Sequence, residues 1–380
     1  MSLILVEGFD HYTTATSGGK FSIDANSSIN TTGGRFQGGG ALNTADSATS
    51  TENTFTLGAN YSEIVVGFAL YFDETGTETG YDEVVSLVAS DGNNQVVLHL
   101  GTGYVLSVTR GSSTVIANGS TALVAGTWNY IELRAVISNT VGEIEVYLNG
   151  VSEINSTGLD TQYSATISSV NTFYIGSCRW IGSARVDDLY ALNTAGSVNN
   201  DFLGDCRVDT LAVVGNGTTN QWDVLTGPSN YQDVDDTTPD DDTTYIYTAV
   251  DGEIDLFDIE NMSQATDVFG VQVVARAEKP DAGDAFVRLG VRSGGTNYFG
   301  PDQGPAVGYT HLKQMFNTDP YTKGVWTRTL VNLLEIGVKR REYETTTTPP
   351  TTAPPATTAA PGTTMPPTTL APTTAAPTTV

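Results

Sequence analysis

Three features of this 380-residue chain predict an all-β fold: a jelly-roll sandwich, then a second β-sandwich, then a disordered Thr/Pro-rich tail. Period-two alternation recurs along the chain, while helical periodicity is nearly absent. The candidate strands are short, numerous and separated by Gly-, Asn-, Ser- and Thr-rich connections, as in antiparallel sandwiches. The last 36 residues hold 16 Thr, 9 Pro and 7 Ala and no charge. Proline removes backbone donors and nothing bulky remains to bury, so no core can form there.

The clearest strand begins at Trp128: Ile131, Leu133, Ala135 and Ile137 share one face, and Glu132 and Arg134 point the other way. The next places Ile144, Val146 and Leu148 inward and ends in Asn149-Gly150, a dipeptide that tolerates the positive φ of a tight hairpin. Val151-Ser-Glu-Ile folds back on it. Further strands are expected over Ser62–Phe72, Glu83–Ala89, Gln95–Leu100, Tyr104–Arg110, Ser113–Ala117, Thr172–Ile175 and Ala184–Leu192. This strand number suits a jelly roll better than an immunoglobulin-like domain. A second set follows at Thr243–Ala249, Val268–Ala277, Phe286–Arg292, Tyr309–Phe316 and Leu333–Lys339. The expected organisation is a jelly roll over residues 1–205, a second β-sandwich over 206–344 and the tail over 345–380. The acidic stretch Gly215–Asp242 reads as the hinge.

Seventeen Lys and Arg stand against 43 Asp and Glu, a formal charge of −26. That balance excludes a counterion-displacing nucleic-acid binder and adhesion to anionic lipid. No run approaches the 18 or more apolar residues of a membrane span. The first residues lack the basic and apolar regions of an export signal. Two Cys and three scattered His leave little material for a multi-cysteine zinc site, a His-rich metal centre or a catalytic triad.

Two stretches carry a resemblance. Gly126-Thr-Trp-Asn-Tyr-Ile-Glu-Leu, Gly142-Glu-Ile-Glu-Val-Tyr-Leu-Asn-Gly and Arg185-Val-Asp-Asp-Leu-Tyr-Ala-Leu together resemble the concanavalin A-like, laminin-G-like jelly roll. Asn199-Asn-Asp-Phe-Leu-Gly-Asp-Cys-Arg-Val, Val268-Phe-Gly-Val-Gln-Val-Val-Ala-Arg-Ala-Glu-Lys and Thr318-Asp-Pro with Trp326-Thr resemble the second β domain of tailed-bacteriophage virion proteins. The combined match covers roughly residues 1–341. It implies a non-enzymatic structural component of the virion, on tail or head, with no catalytic residues. The implied partners are other virion proteins, further copies of the chain and host-surface glycans, without nucleic acid or membrane insertion. A purely architectural capsid-decoration role is the alternative. Synthesis in a bacterial cytoplasm would leave Cys178 and Cys206 reduced.

Candidate chemistry is sparse. Trp180, in a Gly-rich loop, and Tyr71 and Tyr163 on sheet faces are the expected sugar-stacking residues, with Tyr61 beside them. Trp128, Trp222 and Trp326 read as core plugs. Asp187 and Asp188, with Asp235, Asp236, Asp240 and Asp241 of the acidic loop, are the candidate Ca²⁺ ligands, because hard cations need clustered oxygens. The loop lacks the Gly and terminal Glu of an EF-hand. Glu253-Ile-Asp-Leu-Phe-Asp258 resembles the strand motif of laminarinase-like glycosidases, and makes a polysaccharide depolymerase the less favoured alternative.

Overall fold

Two antiparallel sheets enclose one core in the first half of the chain. The computed structural model describes residues 3–12, 20–36, 39–44, 52–73, 80–176, 184–236, 239–263 and 267–341. The tail, Cys178 and Trp180 lie outside the described residues. The first strands are β1 (Leu3–Glu7), β2 (Ser28–Asn30), β3 (Ala41–Thr44), β4 (Glu52–Tyr61), β5 (Glu63–Phe72), β6 (Asp82–Val88) and β7 (Asn94–Leu100). They are followed by β8 (Val105–Arg110), β9 (Thr114–Ala122), β10 (Trp128–Val136), β11 (Gly142–Leu148), β12 (Val151–Leu159), β13 (Val170–Gly176) and β14 (Ala184–Leu192). One sheet runs β12-β11-β10-β5-β14-β3-β2, with β1 also beside β14, and the other runs β4-β13-β6-β7-β8-β9.

Alternation builds both sheets. Ile131, Leu133 and Ala135 pair with Phe68, Val66 and Ile64 across β10 and β5, and all six are fully buried. They meet Phe55, Phe173, Leu87 and Leu98 of the opposite sheet. Asn149 and Gly150 take φ of 52° and 78°, as the hairpin reading requires.

The second half is also all β. Its strands are β15 (Val213–Asn220), β16 (Asp223–Val224), β17 (Ile246–Tyr247), β18 (Ile254–Ile259), β19 (Asp267–Val268) and β20 (Val271–Ala277). The remainder are β21 (Val287–Ser293), β22 (Thr296–Phe299), β23 (Thr310–Phe316), β24 (Trp326–Thr327) and β25 (Glu335–Arg340), with one helical turn, α1 (Arg328–Val331). A five-stranded sheet, β15-β18-β25-β21-β22, faces the β20–β23 ribbon across a core centred on Trp326. Part of the segment read as a hinge is therefore a strand, since β15 pairs with β18.

β1 joins the two halves. Its edge opposite β14 is met by two side-chain amides of the second half. Asn317 accepts from the Leu3 N–H (2.7 Å) and donates to its carbonyl (3.1 Å). Gln272 does the same at Val6 (3.3 and 3.0 Å). Asn317→Ala leaves both Leu3 groups unpaired in a half-buried place, and should cost about 1–3 kcal/mol in a urea titration. An unchanged midpoint would show that these bonds do not hold β1.

Candidate functional site

The outer face of the β4–β9 sheet carries a polar strip. Along β7, Val96, Leu98 and Leu100 point into the core, which turns Gln95, Val97 and His99 outward. On β8, Leu106 and Val108 point inward and Ser107 and Thr109 outward. Register then sets Glu83 opposite His99, His99 opposite Ser107 and Ser107 opposite Asn118, an acid–imidazole–hydroxyl–amide row across β6 to β9. Next to it lie Ser86, Val97 and Thr109, with Tyr174 of β13 and Glu52 at the start of β4 at the far side.

Two atoms of this strip are buried without a hydrogen-bond partner, His99 Nδ1 and Ser107 Oγ. Their residues are only 4% and 5% exposed. The neighbouring bonds define the imidazole. Thr109 gives its hydroxyl proton to the Gly111 carbonyl (2.6 Å), so its oxygen accepts from His99 Nε2 (2.9 Å). The ring proton therefore sits on Nε2, and Nδ1 is a bare acceptor. Burial lowers the His99 pKa to about 4, so the ring is neutral at physiological pH. Burial also raises Glu83. Glu52 is raised by burial and then by the charges of Glu83 and Asp24. Tyr174 is raised by burial and then by Glu52.

Two exposed tyrosines bracket the strip. Tyr81, 62% exposed, sets its ring edge-on to His99 at 6.1 Å. Tyr163, 52% exposed, is held near the other end of β7. There Gln95 accepts from the Tyr163 and Ser164 N–H groups (2.7 and 2.9 Å) and donates to the Ile167 carbonyl (2.5 Å). Four residues of strand, about 13 Å, separate Gln95 from His99. The result is a hydroxyl-rich row, itself nearly buried, between two exposed aromatic rings of the kind that stack on sugar ring faces.

The expected sugar-contact residues are thus divided. Tyr163 belongs to this band. Tyr71 lies on the outer face of the other sheet, half-buried, 5.6 Å from Trp128 and with the Arg185 guanidinium 4.0 Å above its ring. Trp128 is not a core plug but its partner there; Trp326 is a plug, 1% exposed. Trp222 is half-buried and donates to the Glu253 carbonyl (3.2 Å). Sequence reading missed His99, Ser107, Glu52, Glu83 and Tyr81. The signal for His99 and Ser107 was present as the polar half of the β7 and β8 alternations.

The candidate calcium ligands have other partners. Asp187 and Asp188 sit 2% exposed where β14 bulges against β5. Arg35 faces them: its N–H donates to Asp187 (2.7 Å) and its guanidinium to Asp188 (3.3 Å) and to Asp205 (2.5 Å). Asp188 also accepts from the Val208 N–H (2.8 Å). In the acidic loop, Asp241 is bound by Arg276 (2.6 Å), Asp236 and Asp240 share the Thr244 hydroxyl (3.0 and 2.9 Å), and Asp235 is exposed. Asp233 is buried, accepting from the N–H groups of Leu225, Thr226 and Gly227. Among the described residues, no group of three or more His, Cys, Asp or Glu is placed to hold a metal ion. Cys206 is a free thiol, pushed up to about 12 mainly by burial.

Glu253 and Asp258 do not form a pair. Five positions apart, they alternate to opposite faces. Glu253 accepts from the Thr248 hydroxyl (2.5 Å), and Asp258 is exposed. Asp255 between them is fully buried, accepting from the Gln221 and Trp222 N–H groups.

No family model matches the chain, and no curated protein matches it. Solved structures similar to it include the alginate lyase Aly36B, at 11% identity and TM-score 0.37 over 50% of this chain and 96% of that one. The Trypanosoma rangeli sialidase is similar at 12% identity and TM-score 0.32, over 47% of this chain and 29% of that one. The carbohydrate-binding module CBM66 from Bacillus subtilis is similar at 11% identity and TM-score 0.30, over 48% of this chain and 94% of that one. These neighbours are carbohydrate-active or carbohydrate-binding proteins; at such TM-scores the likeness assigns neither activity nor substrate to this chain. It does correct one expectation. With a lyase and a sialidase among the similar structures, the reading of the chain as non-enzymatic does not stand.

Proposed function

We propose that this chain is a glycan-binding protein that holds sugars on the outer face of the β4–β9 sheet. One observation carries the reading: the unpartnered His99 Nδ1 and Ser107 Oγ lie buried in a polar strip bracketed by two exposed tyrosines. A sugar hydroxyl can donate to Nδ1 and exchange hydrogen bonds with Ser107, relieving the cost of two buried unpaired groups. Contact through two exposed rings favours weak single-site binding, strengthened by copy number. The virion setting, with other particle proteins and host-surface glycans as partners, rests on the sequence resemblance described above. Immunogold labelling of intact particles with antibody against residues 1–344 tests that setting. A glycan array tests the site. Wild-type protein should retain a subset of glycans, and Ser107→Phe, which fills the strip, should weaken retention at least about tenfold, the equivalent of roughly 1.4 kcal/mol. Equal retention by a folded Ser107→Phe protein would remove the strip from the account.

A further inference from the structure

Two carboxyl groups stand on the face proposed to bind glycan, Glu52 and Glu83, both raised above their ordinary range mainly by burial. Glu52 stands at the start of β4 and Glu83 near the start of β6, with β13 between them. Second-neighbour strands lie about 9–10 Å apart. The β13 residue between them is Gly176, paired with Glu52 in register. A Cβ there would come within 2.0 Å of the Glu83 carbonyl oxygen, so position 176 itself puts no side chain between the two acids. Directly across from Glu83 is His99, 96% buried, with its unpartnered Nδ1 on the same face. The cluster therefore joins two carboxyls, an open floor and an unused buried acceptor.

We propose that Glu83 and Glu52 are an acid and base pair that hydrolyses a neutral glycan bound on this face. This rests on the glycan-binding reading above. Glu83, the more buried, is the proton donor; Glu52, exposed at the edge, is the carboxylate. Glu83 delivers its proton to the glycosidic oxygen as the bond from that oxygen to the anomeric carbon breaks. A water oxygen bonds to the anomeric carbon from the other side, and Glu52 takes the proton that water loses. One glycosidic bond and one water become two hydroxyl groups, and the two carboxyls regain their starting states through solvent. Backbones about 9–10 Å apart leave room for a water between the two acids, as inverting enzymes need, their carboxyls standing about 6.5–9.5 Å apart. His99, neutral and held by Thr109, accepts a sugar hydroxyl and acts as a positioning residue. The substrate is a neutral glycan because the Glu52 carboxylate, on a chain of formal charge −26, repels a polyanion such as alginate.

The test begins with an array of neutral and anionic oligosaccharides prepared from bacterial cell walls and capsules. The neutral oligosaccharide retained most strongly is then incubated with wild-type, Glu52→Gln and Glu83→Gln proteins, and products are read by mass spectrometry and proton NMR. The proposal expects a new reducing end of inverted configuration from the wild type. It expects a loss of cleavage of about 100-fold or more in each variant, with the melting temperature unchanged. Retention without cleavage by the wild type overturns the hydrolytic pair and leaves glycan binding standing. Cleavage that survives both substitutions overturns the assignment of Glu52 and Glu83. Neither retention nor cleavage overturns both readings.

Discussion

Replacing Arg35 by Met lowers the unfolding free energy by about 3–5 kcal/mol, the cost of leaving buried charge without its partner. Arg35 is the cation that faces Asp187 and Asp188, and its guanidinium also donates to Asp205 and to the Cys206 carbonyl (3.1 Å). One side chain thus ties the bulge of β14 to the chain that leads into the second half. The bulge itself is held in an unfavourable conformation. Asp188 takes φ of 50°, uncommon outside glycine, with its carbonyl accepting from the Tyr130 hydroxyl (3.3 Å). Urea unfolding of wild type and Arg35→Met measures the effect, and a change under 1 kcal/mol would contradict it. The same acids give the protein a pH signature. Burial and then Asp188 raise Asp187 to about 8, and burial raises Asp188 to about 6. A carboxyl raised above its unfolded value of about 3.9 binds its proton more tightly when folded. Its contribution is therefore greatest below about pH 4 and is lost as pH rises towards 8. Asp187→Asn should flatten that decline.

Trp326→Ala should cost a further large amount, about 3–5 kcal/mol, confined to the second half. Trp326 is 1% exposed and donates to the Phe316 carbonyl (2.8 Å). Its core contains few other buried side chains, chiefly Val273, Leu289, Val291, Leu312, Val331 and Leu334. The first half keeps a separate core built on Phe68, Leu87 and Ile131. Calorimetry should show one transition falling steeply while a second, from the jelly roll, stays in place. One transition moving as a whole would show that residues 206–344 do not fold as their own unit.

Much of the fold was legible because alternation needs no knowledge of partners. The strands from Trp128 to Leu148, with the Asn149-Gly150 turn, follow directly from side-chain period and turn chemistry. The expected strands do not include β1 to β4, β15, β16, β22 or β24. β1 to β3 are only three to five residues long, and β15 reads Val-Val-Gly-Asn-Gly-Thr-Thr-Asn, too rich in Gly and Asn to look like a strand. Pairing with β18 decides it. The site was less legible. His99, Ser107 and Glu83 lie on three different strands, and only the register brings them into one row. Asp187 and Asp188 drew notice as adjacent acids, yet their partner Arg35 is about 150 positions away in sequence, beyond any local pattern. Trp128 was assigned to the core because tryptophan usually is; the alternation that buries Ile131 and Leu133 would have placed it outward with Tyr130.

The most direct test of the glycan-binding face is photo-crosslinking. A retained oligosaccharide carrying a diazirine is irradiated with the full-length protein, digested and mapped by mass spectrometry. Labels should fall in residues 94–111, around Tyr81 and around Tyr163, and free oligosaccharide should compete them away. Competable labels confined to the Tyr71–Trp128–Arg185 face of the opposite sheet, or to the second half, would contradict the account.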